Sequence, residues 1–282
     1  MRVLLLGGFG MLGSEVALRM PDAERPTVSE FDVSNPEHVA RVAVEKYSLV
    51  INCAAYTAVD KAETEPDAAF ATNALGPGLL ARACSMAGSP LIHISTDYVF
   101  DGTKSSPYVE SDPTNPICEY GDSKLAGEEG IRAATSAYWI LRTSWLFGPF
   151  GQCFPRAILK RAREGGPLKV VSDQVGCPTP TALVATTIAN LAATIADSSS
   201  TAEYGTYHVC GNEVMTWHQF AKRVLAVAGV DVDVQAITTE DWPTPARRPK
   251  YSVLDSTKAH RAGIVPEINL DDELLRCLES WD

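Results

Sequence analysis

Through the first half of the chain, apolar residues come in short blocks, and each block gives way to small or polar residues. VLLL (3–6) runs into GGFG, and the apolar positions of MLGSEVALRM then take up helical spacing. SLVINCAA (48–55), PLIHIS (90–95) and AYWILRTS (137–144) read as further buried strands, and RPTVSEFDV as a short one between the first two. Helical periodicity fills 39–46, about 67–87 and 119–134. Strands alternating with helices predict an α/β fold, a doubly wound parallel sheet covered on both faces. Such a sheet presents ligands at the carboxyl ends of its strands. GGFG, NCAAYT, STDYVFDG and RTSW all fall at such ends.

Beyond about residue 146 the alternation loosens. GPFGQCF enters a helix to about 163, LKVVSD is a short strand, and a helix near 180–197 opens at Pro180. DSSSTAEYG (197–205) reads as a surface loop and TYHVCG as a strand. An amphipathic helix then starts at Thr216, its expected N-cap, and the proline-rich WPTPARRPK is extended. The pattern divides the chain into a nucleotide-binding portion, 1–146, and a smaller α+β portion, 147–282. The helix near 180–197 is expected to pack back onto the first.

Composition narrows the function classes. With 282 residues and 45% hydrophobic content, the chain can bury a sizeable core. A formal net charge of −11 argues against nucleic acid as a partner, because phosphate contact needs clustered Lys and Arg. No apolar run approaches the ~18–20 residues of a membrane span, and the start lacks signal-peptide features. Seven cysteines, at Cys53, Cys84, Cys118, Cys153, Cys177, Cys210 and Cys277, form no CxxC pair. They have neither disulfide nor zinc spacing and read as reduced thiols of a cytoplasmic protein. His93, His208, Trp217 and Phe220 fall on apolar faces and read as core.

Two features carry chemistry. Gly7, Gly10 and Gly13 form GxxGxxG between the first strand and the first helix. There the backbone must turn tightly and approach a pyrophosphate at the helix N-terminus. The reading is a dinucleotide site, with NADH and NADPH both open: no acid clearly ends the second strand, Glu30 being in doubt, and no arginine is obviously placed for a 2′-phosphate. Second, Tyr120 and Lys124 share a helix face at i and i+4. By itself this spacing is ordinary surface helix. Placed behind the strand-end hydroxyls of Ser95 and Thr96 and the carboxylate of Asp97, it reads as a proton donor with a cation that lowers its pKa.

Together GxxGxxG, NCAA, STDYVFDG and YGDSKLAGE resemble the extended short-chain dehydrogenase/reductases. INCAAYTAVDKAETEP, LRTSWLFG, VSDQVGCPT, TYHVCGNEVMTWHQFA and WPTPARRP bring the chain close to the dTDP-4-dehydrorhamnose reductase family over nearly its whole length. The resemblance implies a Rossmann-type fold and NADPH- or NADH-dependent reduction of a nucleotide-linked 4-ketosugar. It makes Tyr120 the general acid, Lys124 its partner and Thr96 the third catalytic residue. Asp97 and Trp145 fall on substrate-contacting positions, and Arg248 is the candidate for the substrate diphosphate. Gly10, Met11 and Leu12 match the pyrophosphate turn, Asp32 and Val33 an adenine-side pair, and Ala54, Ala55 and Tyr56 the far side of the cofactor. Some relatives are dimers linked by magnesium. Glu15 falls at one such position, but the helix over 181–196 has no glutamate, so the metal is not carried over and a homodimer stays open. A related non-catalytic, NADP-binding regulatory subunit of methionine adenosyltransferase is the alternative, as is reduction of another nucleotide-linked 4-ketosugar.

Overall fold

The computed structural model describes residues 1–195 and 202–281; the expected loop over 197–205 lies largely outside them. In the first half β1 (Val3–Leu6) leads into α1 (Met11–Arg19), and α2 (Pro36–Glu45) into β2 (Leu49–Asn52). Two short helices, α3 (Val59–Ala62) and α4 (Pro66–Phe70), a π-helical turn (Ala71–Leu75) and α5 (Gly76–Ala87) precede β3 (Leu91–Thr96). Then α6 (Glu119–Ala134) leads into β4 (Tyr138–Thr143). In the second half come β5 (Leu146–Phe147), α7 (Phe154–Glu164), β6 (Leu168–Val171), β7 (Val175–Gly176), β8 (Thr179–Pro180) and α8 (Thr181–Thr194). They are followed by β9 (Gly205–His208), β10 (Met215–Thr216), α9 (Trp217–Val227), β11 (Val234–Ile237), α10 (Thr257–Arg261) and α11 (Leu270–Trp281).

The main sheet is wholly parallel, in the order β1-β2-β3-β4-β9. Its fifth strand thus comes from the second half of the chain. The two-residue period of β1 divides the core. Val3 and Leu5 face α1 and α8, packing with Val16, Val184 and Ile188; Leu4 and Leu6 face α2 and α5, with Val39, Val42 and Leu80. Burying each such side chain contributes about 1.5–3 kcal/mol. A third apolar cluster joins α7, α9 and α11 over the small β6–β11 pair. As expected, Thr216 caps α9, and it does so in a reciprocal capping box with Gln219.

The structure corrects two expectations. RPTVSEFDV forms no strand. The sheet gains only a parallel bridge between Leu4 and Glu24, in which Leu5 N–H donates to Glu24 O and Glu24 N–H to Val3 O, both at 2.8 Å. Pro26 follows at once and has no N–H with which to continue a ladder. Because β1 meets Glu24 along one edge and β2 along the other, the winding reverses at β1. That reversal opens the crevice above the first turn. The helix expected over 67–87 is also broken. Pro77 cannot donate to the carbonyl four residues back, and the chain slips to i→i+5 bonding, with Gly76 N–H on Ala71 O.

Candidate active site

At the end of β1, Gly7 takes a left-handed φ of +71° and packs against Cys53 and Ala54. A Cβ on Gly13 would stand 2.0 Å from Gly7 O, so only glycine lets α1 begin this close to the turn. Gly10 is the N-cap of α1, and no side chain caps that end. This cradle fits a pyrophosphate held by backbone N–H groups. It opens into a cavity of about 460 Å³. Gly10, Met11, Leu12, Gly13, Ala55, Thr96, Asp97, Tyr120, Lys124 and Trp145 all line it.

Other expected site residues stand outside that lining. Ala54 N–H is taken by Asn52 Oδ1, and Tyr56 donates its phenol to Glu65. Asp32 accepts from the Ser34 backbone and hydroxyl, and Val33 is buried under α5. Glu30 is closed on Thr27, whose N–H and hydroxyl both donate to it at 2.8 Å.

Strand-end geometry positions the polar group. Thr96 ends β3, and its hydroxyl accepts from Tyr98 N–H and donates to Asp97 Oδ1 at 3.0 Å. Tyr120 enters from the first turn of α6, its ring edge-on to Tyr98 at 5.5 Å. Burial pushes the Tyr120 phenol well above its ordinary value; the Thr96 hydroxyl acts against this, while Asp97 and Cys118 add to it. Lys124 is buried, donates to Ile94 O at 2.6 Å and stands 3.4 Å from His93 Nε2. Burial pulls its ammonium down to about 8, against the charges of Glu128 and Cys53. In this arrangement the lysine ammonium is held by the β3 backbone.

His93 is the core residue expected, but a polar one: neutral through burial and the neighbouring ammonium, it also contacts Asn52 Nδ2 at 3.1 Å. Burial raises the Asp97 carboxyl to about 6, with Ser252 and Thr96 pulling it down. Its Oδ2 is buried and has no partner among the described residues, which leaves one acceptor for a substrate hydroxyl. Beneath them the buried Glu128 carboxylate accepts from Ser95 and, through both oxygens, from Arg142, tying α6 to β3 and β4.

Trp145 sits at φ +45°, a backbone conformation that a bulky residue keeps only when its surroundings hold it. Here the holder is the VSDQVGCPT segment. Thr179 N–H donates to Trp145 O at 3.2 Å, and the Ser144 hydroxyl to Cys177 O at 3.0 Å. A Cβ on Gly176 would lie 2.5 Å from the indole Cε2. The other face of the indole stacks on Trp217 at 3.5 Å and 9°. Trp217, expected in the core, is therefore only half-buried and faces a second cavity of about 340 Å³. Tyr98, Arg161, Lys169, Gln174, Trp242 and Arg248 share that lining. The Arg248 fork closes on Asp60 at 2.9 and 3.0 Å, with Thr244 also in contact.

A strand-end Thr–Asp, a half-buried Tyr and a buried Lys on the next helix thus face a glycine cradle across one cavity. The family model described as RmlD substrate binding domain matches residues 1–282. The chain belongs to that family. Its RmlD-family relatives include a dTDP-4-dehydrorhamnose reductase of Sinorhizobium fredii, 40% identical over 269 residues, which are 93% of this chain and 91% of that protein. The crystal structure of a dTDP-4-dehydrorhamnose reductase from Clostridium acetobutylicum superposes with a TM-score of 0.92 at 36% identity, covering 99% of both chains. That of the Bacillus anthracis enzyme, in complex with NADP, gives 0.91 at 35% identity over 99% of this chain and 98% of that one.

Within this RmlD-family frame, Glu15 is ion-paired inside the chain. Its carboxylate is buried and taken by Arg19 at 2.7 Å and Arg276 at 3.2 Å. Among the described residues no group of three or more His, Cys, Asp or Glu side chains could hold an ion, and no helix is long and apolar enough to cross a membrane. Sequence reasoning passed over Asn73, in the π-helical turn. Its amide accepts from Tyr56 N–H and donates to Tyr56 O and Ser123 Oγ, so it pins the loop after β2 to α6. An asparagine inside a helix just before Gly76-Pro77 is a legible sign of such a break. Tyr98, shared by the two cavities, and Asp60 had no comparable local signal.

Proposed function

We propose that the chain reduces the C4 ketone of dTDP-4-dehydro-β-L-rhamnose to dTDP-β-L-rhamnose, with Tyr120 giving the proton. The observation that carries this reading is the convergence of Thr96, Tyr120 and Lys124 on one cavity whose far wall is the glycine cradle. Bound reduced nicotinamide cofactor supplies the hydride. Tyr120, kept protonated by burial, donates to the oxygen that gains charge. Thr96 holds that oxygen in line, and Lys124, an ammonium below about pH 8, orients the nicotinamide ribose. The free Asp97 oxygen accepts from a sugar hydroxyl, and Trp145 covers the ring.

The nucleotide end of the substrate lies in the second cavity, where Trp217 and Trp242 offer stacking faces and Arg161, Lys169 and Arg248 supply charge for the diphosphate. The substrate thus bridges the two cavities past Tyr98. On this reading residues 1–146 mainly bind cofactor and 147–282 mainly bind substrate, in a cytoplasmic enzyme. The test is oxidation of NADPH or NADH by the purified chain supplied with the dTDP-ketosugar, with product identified by NMR. Stereospecific dTDP-rhamnose formation is the expected result. Absence of turnover, together with tight binding to a methionine adenosyltransferase, would replace this reading with that of a non-catalytic subunit.

A further inference from the structure

The rim of the glycine turn carries a cation that none of these roles uses. Immediately after the Glu24 bridge, Arg25 turns over the first helix entry. A Cβ on Gly8 would lie 2.7 Å from Arg25 Cβ, so the arginine stem lies against the turn itself. Its guanidinium stands 5.1 Å from the centre of the Phe9 ring, which is 60% exposed. Arg25 is exposed and makes no hydrogen bond or ion pair among the described residues.

In this fold the segment pairing on the far edge of β1 ends beside the adenosine ribose. A carboxylate there bonds a free 2′-hydroxyl, whereas an arginine accommodates a 2′-phosphate. The carboxylates of Glu24, Glu30 and Asp32 all have partners of their own. Glu24 accepts from Tyr47 at 2.9 Å and from Arg2 at 3.1 Å, Glu30 is closed on Thr27, and Asp32 on Ser34. A cation without an ion-pair partner among the described residues therefore stands where the cofactor's two forms differ.

We infer that Arg25 receives the 2′-phosphate of NADPH and makes this chain selective for it, with the Phe9 ring steadying the guanidinium plane. A guanidinium can give a phosphate two parallel N–H bonds, and stacking on an aromatic face narrows its choice of orientation. The loss of a regular second strand has a use in this light: the turn at Pro26 brings Arg25 onto the glycine loop. The inference rests on the dinucleotide reading of that loop and not on which ketone is reduced.

The experiment is a fluorescence titration of the full chain with NADPH and with NADH, without sugar substrate, for wild type, Arg25→Ala and Arg25→Lys. Wild type should bind NADPH at least about tenfold more tightly, the size of one charge-assisted contact. Arg25→Ala should lose most of that margin with NADH affinity changed less than about twofold, and Arg25→Lys should keep part of it. Added salt should shrink the margin in wild type, because the contact is exposed. Equal affinity for both cofactors in wild type would overturn the inference, as would an equal loss of both in Arg25→Ala. Failure of both cofactors to bind wild type would instead overturn the dinucleotide reading beneath it. Turnover of the ketosugar bears on neither result.

Discussion

The two walls of the active site are made by different means. In one wall, Thr96, Asp97 and Lys124 stand at the end of a central strand and on a sixteen-residue helix, locked below by the Glu128–Arg142 ion pair. In the other wall, Trp145 follows a strand end but is held by two-residue strands, a glycine and a second indole contributed from far along the chain. The first wall takes its precision from the regular sheet, where neighbouring strands share one register. The second takes it from mutual fit among irregular segments. Damage to the first should therefore act on chemistry, and damage to the second on the placing of the sugar.

Tyr120→Phe gives the largest expected effect: kcat should fall by about 10²–10⁴-fold with cofactor affinity unchanged, by stopped-flow and titration. Full activity in that variant would remove Tyr120 as the acid. Gly176→Ala, on the other wall, should lower kcat/KM for the ketosugar by up to about 100-fold, because its Cβ displaces the Trp145 indole. In a Trp145→Phe background the same change should cost much less. Costs that simply multiply in the double variant would show that Gly176 does not act through the indole.

pH should sharpen the comparison further. Asp97 is ionised above about 6 and Lys124 is a cation below about 8, so kcat/KM should peak between them and fall on either side. Asp97→Asn should flatten the acid limb alone, leaving the fall through 8 in place. The smallest effect belongs to neither wall. Arg223 and Asp271 pair on the surface at 2.5 Å, both well exposed. Asp271→Asn should cost under about 1 kcal/mol by denaturant unfolding and leave turnover unchanged.

These walls were also unequally legible in the amino-acid sequence. β1, β3, β4 and α6 follow from local periodicity, and the polar residues ending each strand point to the cavity without knowledge of any distant contact. The apolar and β-branched residues of RPTVSEFDV resemble a second strand, while Pro26 denies it a partner. Trp145 was marked only through family resemblance, and nothing local tied it to Gly176 or Trp217, which meet it through the antiparallel pairing of β7 with β10. The engagement of Arg248 with Asp60 crosses most of the chain and has no periodic trace. Contacts set by regular hydrogen bonding leave a pattern in sequence; contacts set by shape between distant loops do not.

The fifth strand, β9, has a consequence for the chain as a folding unit. It arrives after α7 and α8 and pairs along β4 from Trp139 to Arg142. A protein ending at residue 146 would leave that face of β4 as an open edge, with its N–H and C=O groups free to recruit another chain. It would also strip α8 from α1 and expose Val16 and the apolar stripe beneath it. The parts before and after residue 146 are therefore one cooperative body, and neither can be inherited without the other.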